Sequence, residues 1–208
     1  MYRVINRYAD MIMESFKYKD DIEPYIKIMK SYKEGKLDYQ FSAIFKQYYR
    51  LNAARLSDSF YNEYFEILKS NNCDNVYEIT EKLERIGCNS LNARKVHFSF
   101  ATKLRHTVDD NSPIYDSMIA AFYFFPAIKI EWSKEQKIDA YKISYEFLKY
   151  EYDRLIKKCL LNDVLEKFNN KICNADKIST IKKIDFIIWK YVNLSKSGKI
   201  RNKEIEFG

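Results

Sequence analysis

The chain has 208 residues, of which 47% are apolar and 16% aromatic, with 18 Tyr and 14 Phe. That is too much material for a buried core to belong to a disordered segment. Only 4 Gly and 3 Pro punctuate it, too few turn signals for a β-sandwich or barrel and none of the Gly-rich turns of a doubly wound α/β fold, so an all-α single domain spanning residues 1–208 is expected.

Helical periodicity recurs from the start. Val4, Ile5, Tyr8, Met11, Ile12 and Phe16 share one face. Asp20 and Asp21 place acids in the first turn of a second helix that runs to Tyr32 and stops before Gly35. Phe41, Ile44, Phe45, Tyr48 and Tyr49 mark a third. Ser57 is the expected N-cap of a fourth, with Phe60, Tyr61, Tyr64, Phe65 and Leu68 inward. Asn75 caps a fifth, ending at Gly87. A sixth begins at Ser90 and is apolar on more than one face, which places it centrally.

Asp109-Asp110-Asn111-Ser112-Pro113 reads as a loop. Asp116 and Ser117 start a seventh helix that ends near Pro126, and Ser133 with Gln136 forms a capping box opening a long eighth to about Leu160. Ile178, Ile181, Ile184, Ile187, Ile188 and Tyr191 form the last stripe, and residues 195–208 read as a frayed polar tail.

No apolar run is long enough to span a membrane and no signal-peptide pattern opens the chain, so a cytoplasmic protein is expected. Cys73, Cys88, Cys159 and Cys173 contain no C-x-x-C pair and read as buried free thiols. His97 and His106 lack metal-site spacing and read as satisfied structural residues. Neither a metal nor a cofactor is expected, and no phosphate loop or nucleophile elbow is present.

Lys plus Arg is 36 against 29 Asp plus Glu, a formal charge of +7. Residues 42–56 carry Lys46, Arg50 and Arg55 without an acid, interleaved with Phe45, Tyr48 and Tyr49. Residues 90–105 carry Arg94, Lys95, Lys103 and Arg105, again without one. Basic stretches with aromatics suit a phosphate backbone, where counterion release drives binding and rings stack on bases. The alternative is an ordinary solvated face.

One segment carries a resemblance. Gly87 follows a short apolar helix, Lys95-Val96 opens the next, and Pro113-Ile114-Tyr115-Asp116 precedes another, with 21 positions between Lys95 and Asp116. This order resembles the helix-hairpin-helix DNA glycosylase superfamily, especially its 8-oxoguanine glycosylase-like branch. It covers about 40 of the 208 residues. Two departures stand out: the hairpin keeps one glycine, Gly87, where the family has two, and the Pro-to-Asp interval is one residue longer.

The resemblance implies two helical lobes flanking a cleft and cleavage of the N-glycosidic bond of a base flipped from duplex DNA that is damaged or modified. It implies Asp116 as the anion that steadies charge on the sugar, and Lys95 as the nucleophile of a strand-cleaving (AP-lyase) member. Physically, Asp116 also reads as a plain helix N-cap, and Lys95 as a solvent-facing or phosphate-binding residue. Arg50, Arg55, Arg94, Lys103, Arg105 and Gly87 are the expected DNA contacts, and Tyr115 and Phe98 the expected base-stacking rings. Two readings without this chemistry stand beside it: a non-catalytic nucleic-acid-binding helical module, such as one from a mobile element or defence system, and a helical protein-interaction domain. Sequence leaves the oligomeric state open.

Overall fold

A computed structural model describes residues 2–70, 73–86 and 96–200. Among them there are only helices, turns and loops: α1 Tyr2–Arg7, α2 Ala9–Glu14, α3 Glu23–Lys33, α4 Tyr39–Tyr48, α5 Asp58–Lys69, α6 Val76–Arg85, α7 Phe98–Val108, α8 Ser117–Phe122, α9 Lys134–Lys157, α10 Asn162–Lys171 and α11 Thr180–Lys196. A π turn at Tyr18–Ile22 leads into α3, and short 3-10 turns sit at Leu51–Ala54 and Ala175–Lys177. The all-α class expected from composition is therefore observed.

Caps explain most of the helix starts. Ser57 accepts the Phe60 N–H at 3.2 Å, Asn75 the Tyr77 N–H at 2.9 Å, and Asp38 the Phe41 N–H at 2.9 Å. At α9 the reciprocal box forms: Ser133 Oγ accepts from Gln136 N–H while Gln136 Oε1 accepts from Ser133 N–H.

The helix ends show how the chain manages with so few glycines. Gly35 and Gly198 lie at positive φ in Schellman turns closing α3 and α11; Lys36 N–H reaches Ser31 O and Lys199 N–H reaches Leu194 O. Arg50, Phe124 and Cys159 occupy the corresponding left-handed position after α4, α8 and α9, at φ 54, 54 and 52. That conformation costs a residue with a Cβ about 1–2 kcal/mol.

One apolar core draws on every helix, with Tyr25, Phe45, Phe60, Phe98, Tyr152 and Phe168 among its largest fully buried members. Residues 181–188 of α11 are all buried, so this helix, like α7, runs through the middle of the core.

Several sequence expectations are corrected. The first helix is two, separated at Tyr8, whose ψ of 17 interrupts the helical backbone. The core helix begins at Phe98; Val96 and His97 precede it outside the helix, and residues 87–95 lie outside the described part. The seventh helix stops at Phe122 and the eighth at Lys157. A helix at Asn162–Lys171 was not anticipated. The tail is ordered as far as Ile200, which the Schellman turn at Gly198 delivers into the core at 3% exposure. Cys73 is buried but Cys159 and Cys173 are exposed, because both follow helix ends at the surface.

Candidate functional site

Asp116 sits where the loop from Asp109 meets α8. Its Oδ1 accepts the N–H groups of Met118 at 2.8 Å and Ile119 at 3.0 Å, so the carboxylate is half-buried and fixed. The loop behind it is strapped down. Thr102 Oγ1 accepts the Tyr115 N–H, Tyr145 Oη donates to Pro113 O, His106 Nδ1–H donates to Ser112 O at 2.7 Å, and Ser179 Oγ donates to Asp110 O. Four side chains, from α7, α9 and the N-cap of α11, thus determine where Asp116 stands.

Behind this loop lies a buried polar network. Lys103 on α7 is 6% exposed, and its ammonium donates to Ser99 Oγ at 2.6 Å and Ser99 O at 3.1 Å. Burial pushes its pKa down to about 8; the negative charge of Asp116 opposes the shift and Lys182 adds to it. Lys182 on α11, 5% exposed, is lowered in the same way by burial, opposed by Asp185 and Asp116. Its ammonium lies among rings, 4.7 Å from the centre of Phe186, 5.1 Å from Tyr25, 5.7 Å from Tyr49 and 5.8 Å from Tyr48. Asp185 accepts the Tyr152 hydroxyl at 2.7 Å, and burial raises its pKa to about 7 against the pull of Lys182.

His106 completes the network. Its Nε2 faces the Tyr25 hydroxyl at 3.0 Å, and with Nδ1–H committed to Ser112 the ring is neutral. Burial pushes its pKa down to about 3, with Lys182 adding to the shift. His97 is buried against Phe60, ring centres 5.0 Å apart. Both histidines therefore serve the interior.

The remaining candidates divide sharply. Phe98 is 1% exposed and stacks on Tyr141 at 4.8 Å; Tyr115 is 6% exposed and stacks on Phe125 at 5.9 Å. Both rings expected to receive a base are committed to the core. Lys103 is internal, as above. Arg105 donates to Asp109 Oδ2 at 2.6 Å and to Cys73 O at 3.2 Å, so its guanidinium fastens the loop to the start of α6. Lys95, Arg94 and Gly87 lie outside the described residues. Within the described structure, Asp116 acts electrostatically on buried Lys103 and Lys182.

Arg50 and Arg55 are exposed and bracket the 3-10 turn at Leu51–Ala54, both in left-handed conformation. The Arg50 guanidinium lies 5.4 Å from the centre of the Trp189 ring of α11, and the Lys46 ammonium 5.0 Å from Tyr61. Among the described residues no carboxylate pairs with Lys46, Arg50 or Arg55, whereas Lys190 beside them is paired with Asp21 at 2.6 Å. Arg50 and Arg55 are thus exposed cations on the α4–α5 connection, and Lys46 is a half-buried cation in the last turn of α4.

Two cavities open at the described surface. One of about 460 Å³ is lined by Asp10, Met13, Glu14, Lys167, Asn170 and Lys171, and one of about 170 Å³ lies between α3 and the loop after α7. Asp116 lines neither. Among the described residues no group of three or more His, Cys, Asp or Glu gathers as metal ligands, and no helix is long and apolar enough to cross a membrane.

Compared with models of known protein families, with curated proteins and with solved structures, the chain matches none.

Proposed function

We propose that this chain is a nucleic-acid-binding helical domain whose phosphate contacts run through Lys46, Arg50 and Arg55. The observation that carries the reading is that exposed Arg50 and Arg55 and half-buried Lys46 have no carboxylate partner among the described residues, on a stretch of sequence free of acids. A phosphate backbone supplies the missing counter-charge, and release of its condensed cations drives the association. Arginine adds a planar donor fork that matches a phosphate group.

Fluorescence anisotropy of a labelled duplex and a labelled single strand, titrated at increasing salt, tests this. Three neutralised phosphates predict that affinity falls roughly 40-fold between 50 and 200 mM salt. The triple charge reversal Lys46→Glu, Arg50→Glu, Arg55→Glu abolishes binding while leaving the helical circular dichroism unchanged. Binding that ignores both salt and the triple reversal refutes the reading.

Asp116 favours a second reading, the glycosylase-type chemistry implied by the sequence resemblance. A carboxylate held by two N–H groups beside a lysine of lowered pKa is a suitable pair for steadying a sugar cation and for supplying a neutral amine. Base release from a panel of lesion-bearing duplexes, lost in Asp116→Asn, is its expected result, with borohydride trapping at Lys95. Full base release by Asp116→Asn removes it.

A further inference from the structure

Trp189 occupies a singular place on α11. The eight residues before it are buried without interruption, and Trp189, half-buried, ends that run. Two cations lie against its indole: Arg50 at 5.4 Å and Lys190 at 5.7 Å from the ring centre. Lys190 is held elsewhere, by Asp21 at 2.6 Å and by the Ser15 carbonyl at 3.2 Å. Arg50 has no such tie, so its five N–H donors remain available to an incoming anion while its plane covers the ring.

We infer that Trp189 and Arg50 together form a stacking site for an unpaired nucleotide, in which Arg50 takes the phosphate and the indole takes the base. This deepens the nucleic-acid-binding reading and rests on it. The chemistry favours a single strand over a duplex. In a duplex the base faces are buried in the stack and offer no free face to an indole. In a single strand each base offers a free π-face next to its own phosphate, and an indole flanked by cations accepts any of them. Arg55 lies at the other end of the 3-10 turn from Arg50, and Lys46 lies over Tyr61. These cations supply further phosphate contacts on the same acid-free stretch.

The chain has two tryptophans, so Trp132→Phe leaves Trp189 as the sole indole reporter without touching the site. In that background, Trp189 fluorescence is followed during titration with oligothymidylate, with an abasic oligonucleotide of equal length, and with heparin. Oligothymidylate is expected to quench the emission, while the abasic strand and heparin bind without quenching. Trp189→Leu is expected to weaken oligothymidylate roughly fivefold or more and to leave the abasic strand unchanged. Arg50→Gln is expected to weaken both strands. Equal responses to all three polyanions, or tighter binding of duplex than of single strand, overturn the stacking site and leave the electrostatic reading intact. Failure of every polyanion to bind removes that reading and this inference with it.

Discussion

Replacing Asp116 by Asn and by Ala separates the two tasks this side chain performs. Its Oδ1 accepts two backbone N–H groups, at 2.8 and 3.0 Å, at the head of a helix only six residues long. Asn offers an amide oxygen in the same place, whereas Ala offers nothing. Loss of an N-cap costs about 0.5–2 kcal/mol, and with two bonds lost here about 1–2 kcal/mol is expected for Ala. In a chain of this size that lowers the melting temperature by about 2–8 °C, while Asn stays within about 0.5 kcal/mol of the parent. The charge is the second task. Asp116 holds up the pKa of buried Lys103 against its desolvation, so removing the carboxylate moves that pKa further below about 8. Carbon-13 NMR of the lysine ε-carbons reads this directly, alongside urea denaturation for stability. Asn as damaging as Ala refutes the capping argument, and a Lys103 midpoint unmoved in Asp116→Asn refutes the electrostatic one.

Other expectations follow from the same structure. Cys159→Gly relieves an exposed left-handed residue at φ 52; the strain removed exceeds the added chain entropy, so the urea midpoint rises by an amount equivalent to about 0.5–1 kcal/mol. Gly198→Ala, at φ 71, moves it the other way by about 1 kcal/mol, and a fall of both variants contradicts the assignment. Tyr152→Phe deprives Asp185 of its hydroxyl donor and costs about 1–3 kcal/mol at pH 8, where the carboxylate is charged, but less at pH 5. The pH dependence has a defined sign. Asp185, raised to about 7 in the fold, binds its proton earlier than an unfolded aspartate does, so its contribution is greatest below pH 4 and is lost as pH rises through 7. The stability gap between the parent and Asp185→Asn, measured by denaturation from pH 8 to 4, is expected to shift in the parent's favour on acidification. His106, lowered to about 3, acts oppositely, its contribution disappearing as pH falls from about 6.5 toward 3.

Much of the fold was legible because helix caps are local. Ser57, Asn75, Asp116 and the Ser133–Gln136 box each bond to a backbone group two or three residues away, and such signals survive in the sequence. The interruption at Tyr8 carries no Gly or Pro, so nothing in the chain announces it. Helix α10 did leave a signal: Leu161, Val164, Leu165 and Phe168 have helical spacing. The greatest discrepancy concerns charge. Lys103 is expected from the sequence to contact DNA, yet it is buried, as are Lys182 and Lys183, because their stems pack as apolar chain and their ammonium groups find Ser99, four rings and Asn169. The rings around Lys182 come largely from residues 25, 48 and 49, more than 130 positions away, beyond the reach of any local pattern. The Arg50–Trp189 stack is hidden for the same reason, although the acid-free stretch that contains Arg50 was plain.

On the proposed nucleic-acid-binding reading, this sorting of charge decides where a polyanion would meet the protein. The buried network holds two lysines, 103 and 182, and two aspartates, 116 and 185, which influence one another. With all four ionised their charges cancel, so the network projects little field into solvent, whatever it does for the stability of the core. Arg105 is likewise neutralised by Asp109. On the proposed reading, the field that would steer a nucleic acid comes from cations without carboxylate partners, the exposed Arg50 and Arg55 with half-buried Lys46. Each of these cations would act on a polyanion only within a screening length of about 8–10 Å at physiological salt. Charge reversal on the α4–α5 connection and neutralisation of Asp116 consequently probe different properties. The first removes encounter with the nucleic acid, and the second leaves encounter intact and tests only whether chemistry follows it.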